Sequence, residues 1–329
     1  MNEINLKCPL CNSGKHTDFY FNVKDYVADL PGDWNFVRCS DCNSIFLSIR
    51  VCEADIEGYY ATYYTHNAHP VGLFQKAWQS IIDNYVEYVS LQFRQQPALL
   101  MSIVYKVFES KIKSNLRNIT KLPVLESLKV LDVGYGDGLF LSRAKMLGCE
   151  CYGIEPDEKC IRFSELNNFK HIGESITELN NYHEYFDYIT ISHVLEHSYA
   201  PREMLQRCFS SLKKGGYLWV ESPNADSQLL KIFGKYWRGL ESPRHIFLPN
   251  WAGLESVLRE IGFSEIQRKP KWLNVLSLAV SSFDISKKYN TKHGVGHLFK
   301  VPWGVLCGLL QVFNKYKRTE FVTIIARKI

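Results

Sequence analysis

The sequence predicts an α/β fold: a mostly parallel sheet with helices on both faces, preceded by a small cysteine-bound ribbon. Three observations carry this. From Leu128 onward, short apolar runs alternate with amphipathic segments of helix length. Strands alternating with helices in this way pair in parallel and take helices on both faces. The first of those runs ends in a glycine-rich turn, Gly134 to Gly138, and two C-x-x-C pairs, Cys8/Cys11 and Cys39/Cys42, stand near the start.

The elements follow in order. Residues 1–65 hold the cysteine pairs, with short β-like runs such as FYFNV and SIFLS between them. Residues 66–122 change to helical periodicity: Phe74, Trp78, Ile81, Ile82, Tyr85 and Val89 recur at steps of three and four. Pro97 interrupts the pattern, and a second helix is expected from Ala98 to about Asn118. Residues 123–329 carry the alternation. KVLDVG, CECYGIE, FDYITISHV and GYLWVESPN read as strands, and LFLSRAKMLG, DEKCIRFSEL and PREMLQRCFSSLKK as helices. WAGLESVLREIG is a helix that Asn250 caps and Gly262 ends. FSEIQRK and EFVTIIARK are the last strands, separated by an insertion at about 272–318.

Composition narrows the function classes. The 329 residues are 46% hydrophobic and 22% charged, ordinary globular usage, which excludes wholesale disorder. A net charge of +5 is small for this length and argues against a dedicated nucleic-acid binder. Absence of an 18-residue apolar run or an apolar leader predicts a cytoplasmic protein with reduced thiols. The charge is uneven: residues 268–329 carry a net +10 and residues 1–267 a net −5.

The glycine turn has the spacing G-x-G-x-G. A dinucleotide fingerprint would need a further glycine where Leu139 stands, so the nicotinamide reading is weakened. Glu155 ends the second strand, 23 residues after Asp132. A carboxylate there can accept both hydroxyls of a ribose, and Asp132 can pair with an ammonium group. A ligand with a ribose and an amino-acid end but no pyrophosphate suits both acids, and S-adenosylmethionine is such a ligand.

VLDVGYGDG, GIEPD, FDYITISHVLEH and LKKGGYLWVESPN together resemble the class I S-adenosylmethionine-dependent methyltransferases, over residues 125–270 and a last strand near 319–328. The resemblance implies a Rossmann-like sheet. It also implies that Asp132, Gly134, Tyr135 and Gly136 line the methionine end of the cofactor and Glu155 holds its ribose. Glu174 and Ser175 would lie near the adenine, and His193 would stand beside the sulfonium.

His193-Val-Leu-Glu196-His197 also matches the zinc-protease pattern H-x-x-E-H, which requires a helix. Here it runs straight out of an apolar strand and meets Pro201. The segment Glu241-Ser-Pro-Arg244-His245 resembles the tyrosine-histidine-glutamate-histidine loop of sugar C-methyltransferases, whose last histidine is the proposed base. His245 matches that histidine and is, with His193, a catalytic candidate. Arg244 stands where that family has glutamate and Ser242 where it has tyrosine, which leaves O- and N-methylation open. Arg244 is a candidate for binding a phosphate or carboxylate.

Cys8, Cys11, Cys39 and Cys42 supply four thiolates, the set for a closed, structural tetrahedral Zn2+ site. The same sugar methyltransferases, and methyltransferases of bacterial polysaccharide clusters, begin with such a module and an aromatic stretch. In that family a tyrosine of the module reaches the substrate. Here the stretch holds Tyr59, Tyr60, Tyr63 and Tyr64. The expected activity is methyl transfer to a sugar or related small metabolite, nucleotide-linked or lipid-linked, in surface-polysaccharide or natural-product synthesis. No nucleic-acid partner is expected. The lysine-flanked apolar stretches of 272–318 are too short to span a bilayer, and suit peripheral contact with the inner face of the membrane. The alternatives are a nucleic-acid or protein methyltransferase that recognises its target through the ribbon, and a non-enzymatic scaffold at the membrane surface.

Overall fold

A computed structural model describes residues 2–60, 73–90, 99–122, 127–269, 275–289 and 319–329. Tyr63, Tyr64, Pro97, Cys307 and most of the 272–318 insertion, including the second of its two apolar stretches, lie outside the described residues; the first stretch forms a helix whose Val275 and Ala279 are buried in the core of the ribbon's unit. The first strands are β1 (Asn2–Ile4), β2 (His16–Val23), β3 (Trp34–Cys39), β4 (Ile45–Leu47) and β5 (Ile49–Val51), followed by α1 (Leu73–Ser90) and α2 (Leu99–Asn115). Then come β6 (Lys129–Val133), α3 (Leu139–Met146), β7 (Glu150–Ile154), α4 (Glu158–Leu166), β8 (Lys170–Gly173) and β9 (Phe186–Ser192). The chain continues through α5 (Pro201–Ser211), β10 (Leu212–Pro223), α6 (Gln228–Phe233), β11 (Phe247–Leu248) and α7 (Trp251–Ile261). It closes with β12 (Phe263–Arg268), α8 (Val275–Tyr289) and β13 (Phe321–Lys328).

Seven strands form one mixed, mostly parallel sheet in the order β12-β13-β10-β9-β6-β7-β8. Among the described residues the chain divides into two compact units. One draws on Met1–Tyr63, His193–Gln206 and Val220–Ala326, the other on Tyr64–Ser192, Arg207–Trp219 and Arg327–Ile329.

The second unit contains β6 to β9. β6 pairs in parallel with β7 on one side and β9 on the other, so Asp132 stands level with Gly153 and Thr190. The chain runs outward from β6 through β7 to β8, then returns to β9 on the opposite side. That reversal opens a crevice at the carboxyl end of β6, where ligands of open α/β sheets bind. Burial explains the strands: Val130, Leu131, Ile189 and Ile191 are fully inaccessible. α4 begins where the Asp157 carboxylate accepts the Lys159 amide at 2.8 Å, a side-chain N-cap. α1 is tied to α3 by the buried Arg143, whose Nε donates to Asp83 at 2.9 Å.

The first unit contains a four-stranded antiparallel sheet, β11-β4-β3-β2, and the separate pair β1-β5. The ribbon does not make this core alone. Trp34, Phe36, Ile45 and Leu47 pack with Leu229, Leu230, Trp237 and Leu248, all buried. β11 pairs with β4, Phe247 opposite Phe46 and Leu248 opposite Ile45. Asn250 caps α7 by accepting the Gly253 amide at 2.7 Å, and Gly262 follows its end.

Two local expectations change. Lys213 and Lys214 were expected to finish a helix, but β10 already begins at Leu212. The Lys213 ammonium is held by Asp187, one residue into β9, at 2.8 Å, which favours the extended conformation there. α6 was not expected; the Ser227 hydroxyl caps it by accepting the Leu230 amide at 2.9 Å.

Candidate functional site

The glycine turn closes β6 in the second unit. Gly134, Gly136 and Gly138 all take positive φ, 69°, 54° and 72°. The Gly134 amide donates to the Ile154 carbonyl at 2.8 Å, which binds the turn to the end of β7. The Gly136 amide donates to Glu155 Oε2 at 2.9 Å, and the Asp157 amide to Oε1 at 3.1 Å. A Cβ on Gly136 would meet no atom of the described residues within 4 Å, so the turn leaves space that a ligand can enter.

Asp132 is fully buried. Its Oδ1 accepts from Arg117 and from the Thr190 hydroxyl, the latter at 2.6 Å, while Oδ2 has no hydrogen-bond partner among the described residues. Burial raises this carboxyl above its ordinary range, and Arg117 and Thr190 hold it back. Arg117 itself was missed by sequence reasoning. It follows α2 at a left-handed φ of 47°, lies 4.2 Å over the Phe140 ring, and its carbonyl accepts from Tyr188 at 2.5 Å. A single arginine after a helix has no pattern that marks it in advance.

The Tyr135 side chain faces the sheet. Its ring meets Phe169 edge-on at 5.0 Å, its hydroxyl lies 3.2 Å from His171 Nδ1, and it occupies the space a side chain at Gly153 would need. Tyr135 thus offers a ligand its backbone. Glu174 is exposed, and Ser175 caps the 3₁₀ turn Ile176–Asn181 by accepting the Thr177 amide at 3.2 Å.

The first unit holds a histidine cluster. His193 directly follows β9 with φ 57°, a conformation that non-glycine residues adopt at a cost. Its Nδ1 lies 3.4 Å from Glu196 and its Nε2 3.1 Å from Glu221. Burial alone would push this imidazole down, but Glu196 and Glu221 outweigh it and raise it to about 9, so it carries a positive charge at neutral pH. HVLEH forms no α-helix; Leu195–His197 is a single 3₁₀ turn, so the zinc-protease geometry is absent.

His197 Nδ1 lies 3.0 Å from the Arg244 carbonyl and 2.9 Å from the Tyr60 hydroxyl. A carbonyl only accepts, so Nδ1 carries the hydrogen. His245 Nδ1 donates in the same way to the Gly239 carbonyl at 2.8 Å. Both rings therefore keep an unprotonated Nε2. Burial pushes His245 well below the usual imidazole range, and the neighbouring His197 adds to the effect. Among the described residues of the aromatic stretch, Tyr60 reaches this cluster. Tyr59 packs edge-on to Trp34 at 6.0 Å.

Arg244 does not face a ligand. It is fully buried and holds Asp25 through two bonds, at 2.7 and 2.8 Å. Glu241 beside it is raised to about 8 by burial, against the pull of Arg244.

The four N-terminal cysteines converge, with one sulfur from each within 4.8 Å of the others. Cys8 and Cys42 Sγ are 3.5 Å apart, Cys11 and Cys39 3.6 Å. Tetrahedral zinc with Zn–S bonds of about 2.3 Å sets its sulfurs roughly 3.8 Å apart, so the donor set fits. The two knuckles share the text C-x-x-C-N-S and the same bonds. Asn12 and Asn43 amides donate to Cys8 and Cys39 carbonyls, and Cys8 and Cys39 amides donate to Ser13 and Ser44 carbonyls. Both asparagines are left-handed, at 63° and 59°. That repeated hexad was a legible sequence signal beyond the cysteines.

A doubly wound sheet whose first strand ends in a glycine turn bonded to an acid after the second strand defines a nucleoside-binding α/β domain. Residues 95–267 match the methyltransferase-domain family, 173 of the 329 residues, and the chain belongs to it. The domain is of the class I, S-adenosylmethionine-dependent type. The chain is 29% identical over 104 residues to ubiquinone biosynthesis O-methyltransferase of Shewanella sp. (strain ANA-3), covering 29% of this chain and 44% of that one. It is 28% identical over 174 residues to tRNA U34 carboxymethyltransferase of Azotobacter vinelandii, covering 47% and 54%. The chain thus spans about half the length of these curated relatives. A solved S-adenosylmethionine-dependent methyltransferase from Archaeoglobus fulgidus is similar with a TM-score of 0.44 and 24% identity, over 68% of this chain and 99% of that one. Among the described residues no helix is long and apolar enough to cross a membrane.

Proposed function

We propose that the protein transfers a methyl group from S-adenosylmethionine to a sugar or related small metabolite, carried on a nucleotide or a lipid, in surface-polysaccharide or natural-product synthesis. The observation that carries the cofactor assignment is the open space at Gly136 beside the Glu155 carboxylate. S-adenosylmethionine, when bound, supplies an electrophilic methyl group on a sulfonium.

The chain's own residues then have separable tasks. Gly134, Tyr135 and Gly136 offer backbone to the methionine end, and Glu155 holds the ribose hydroxyls. Asp132 fixes Arg117, whose guanidinium can meet a carboxylate. Glu174 and Ser175 are assigned to the adenine side. His193 and His245 line the acceptor side, and His245, with its unprotonated Nε2, is the candidate to take the proton that must leave as the acceptor's new bond to carbon forms. The four cysteines hold a structural zinc that keeps the ribbon, and through β11 the His245 segment, in place.

The resemblance of the His245 segment and of the cysteine module to sugar methyltransferases supports the sugar. The relatives' names give the other acceptors to compare, a ubiquinone precursor and a tRNA. Incubation with methyl-labelled S-adenosylmethionine tests the choice. Label should enter a nucleotide-sugar or lipid-linked sugar fraction. Label entering only phenolic quinone precursors or only tRNA would refute the sugar assignment.

A further inference from the structure

The methyl-transfer reading gives the Glu196 carboxylate no task beyond its contact with His193. Glu196 is fully buried, and among the described residues neither carboxylate oxygen accepts a hydrogen bond. Its polar neighbour is His193 Nδ1, at 3.4 Å. His193 pairs with one of its oxygens and is shared with Glu221, at 3.1 Å, which leaves the second oxygen without a hydrogen-bond partner among the described residues.

Two imidazoles stand beside it. One ligating atom from each of Glu196, His197 and His245 lies within 4.8 Å of the other two. The ring centroids of His197 and His245 are 4.8 Å apart, at 68°. The Ile246 amide donates to the Glu196 carbonyl at 2.8 Å, which locks the two segments together. Each imidazole places its Nδ1 hydrogen on a carbonyl, His197 on Arg244 and His245 on Gly239. That arrangement fixes the tautomer in which Nε2 carries the ligating lone pair, as metal-bound histidines are held; Glu241 Oε2 lies 3.8 Å from His245 Nε2.

We propose that Glu196, His197 and His245 bind one divalent transition cation of the zinc class, distinct from the cysteine site. Two imidazoles and one carboxylate are a donor set for zinc, and three protein ligands leave a position for another oxygen. A closed tetrahedral set of N and O donors spans roughly 3.4 Å, so binding draws the three groups inward from their present separation. The proposal rests on the methyl-transfer reading in one respect: the open position takes the acceptor oxygen. A cation there lowers the pKa of a coordinated hydroxyl. The acceptor proton then leaves to solvent, and His245 contributes as a ligand rather than by taking the proton itself.

Zinc K-edge X-ray absorption on the full chain, loaded by dialysis against micromolar zinc chloride, tests this. The expected spectrum contains a nitrogen and oxygen shell besides sulfur; a pure sulfur shell overturns the site. Elemental analysis should find one zinc per chain fewer in Glu196→Gln and in His197→Asn than in the wild type, and undiminished zinc in those folded variants overturns it too. Calorimetric binding of S-adenosylhomocysteine on the same samples reads the cofactor site separately. Its absence with a mixed zinc shell would sink the methyl-transfer reading and leave the cation site standing.

Discussion

Arg244 and Asp25 form a two-bond ion pair, at 2.7 and 2.8 Å, across 219 residues of sequence, and neither side chain is more than 1% exposed. The pair joins the segment that carries His245 to the ribbon, as does the β11–β4 pairing that begins three residues after Arg244. Breaking such a pair from one side leaves a buried charge without compensation. Asp25→Ala is therefore expected to cost about 3–5 kcal/mol in urea unfolding. Asp25→Leu combined with Arg244→Met should recover much of that loss, because a buried pair exchanged for apolar residues of similar volume is often neutral. A loss below about 1 kcal/mol in the single variant would place the segment's anchoring elsewhere.

Zinc removal should unfold the ribbon side of the shared core. Trp34 and Trp237 are each 1% exposed and lie in one cluster, so near-ultraviolet circular dichroism reports on it. Cys39→Ser should lose zinc by elemental analysis and lose that signal together. Zinc retained at wild-type level would contradict the four-cysteine assignment.

Two glycines separate binding from folding. Gly136 has open space around it, so Gly136→Val should fold, at a cost of about 1–2 kcal/mol for its left-handed backbone, while weakening cofactor binding more than tenfold. Gly153 has the Tyr135 ring 2.3 Å from where a Cβ would sit, so Gly153→Ala should destabilise the domain instead. Thermal unfolding with and without S-adenosylhomocysteine distinguishes the two. Equal effects of both variants on binding would contradict the placement of the ligand.

Tyr60→Phe removes the hydroxyl that lies 2.9 Å from His197 Nδ1. One hydrogen bond contributes about 0.5–1.5 kcal/mol, so methyl transfer should slow by a few-fold to about tenfold. S-adenosylhomocysteine affinity should stay the same. A weaker affinity with an unchanged rate would remove Tyr60 from the acceptor side.

The strands around the glycine turn were legible because their side chains are buried on both faces and read as unbroken apolar runs. Glu155 was legible through its distance along the chain from Asp132, and the cysteine pairs through spacing alone. Other features depend on contacts between distant segments. Tyr60 meets His197 across 137 residues, and no local pattern distinguishes Tyr60 from Tyr59. Arg244 looked available for an anion, and only its partner in the ribbon shows that it is spent on structure. β11 is two residues long, too short to read as a strand, yet it ties the ribbon to the His245 segment. Lys213 reads as the tail of an amphipathic helix until its pairing with Asp187 is seen.

Calorimetric titration with S-adenosylhomocysteine tests the central claim most directly. The wild-type protein should bind one ligand per chain. Glu155→Ala should weaken binding at least tenfold, about 1.4 kcal/mol or more, with an unchanged far-ultraviolet circular dichroism spectrum. A folded wild-type protein that binds nothing at millimolar ligand, or an affinity that Glu155→Ala leaves unaltered, would contradict it.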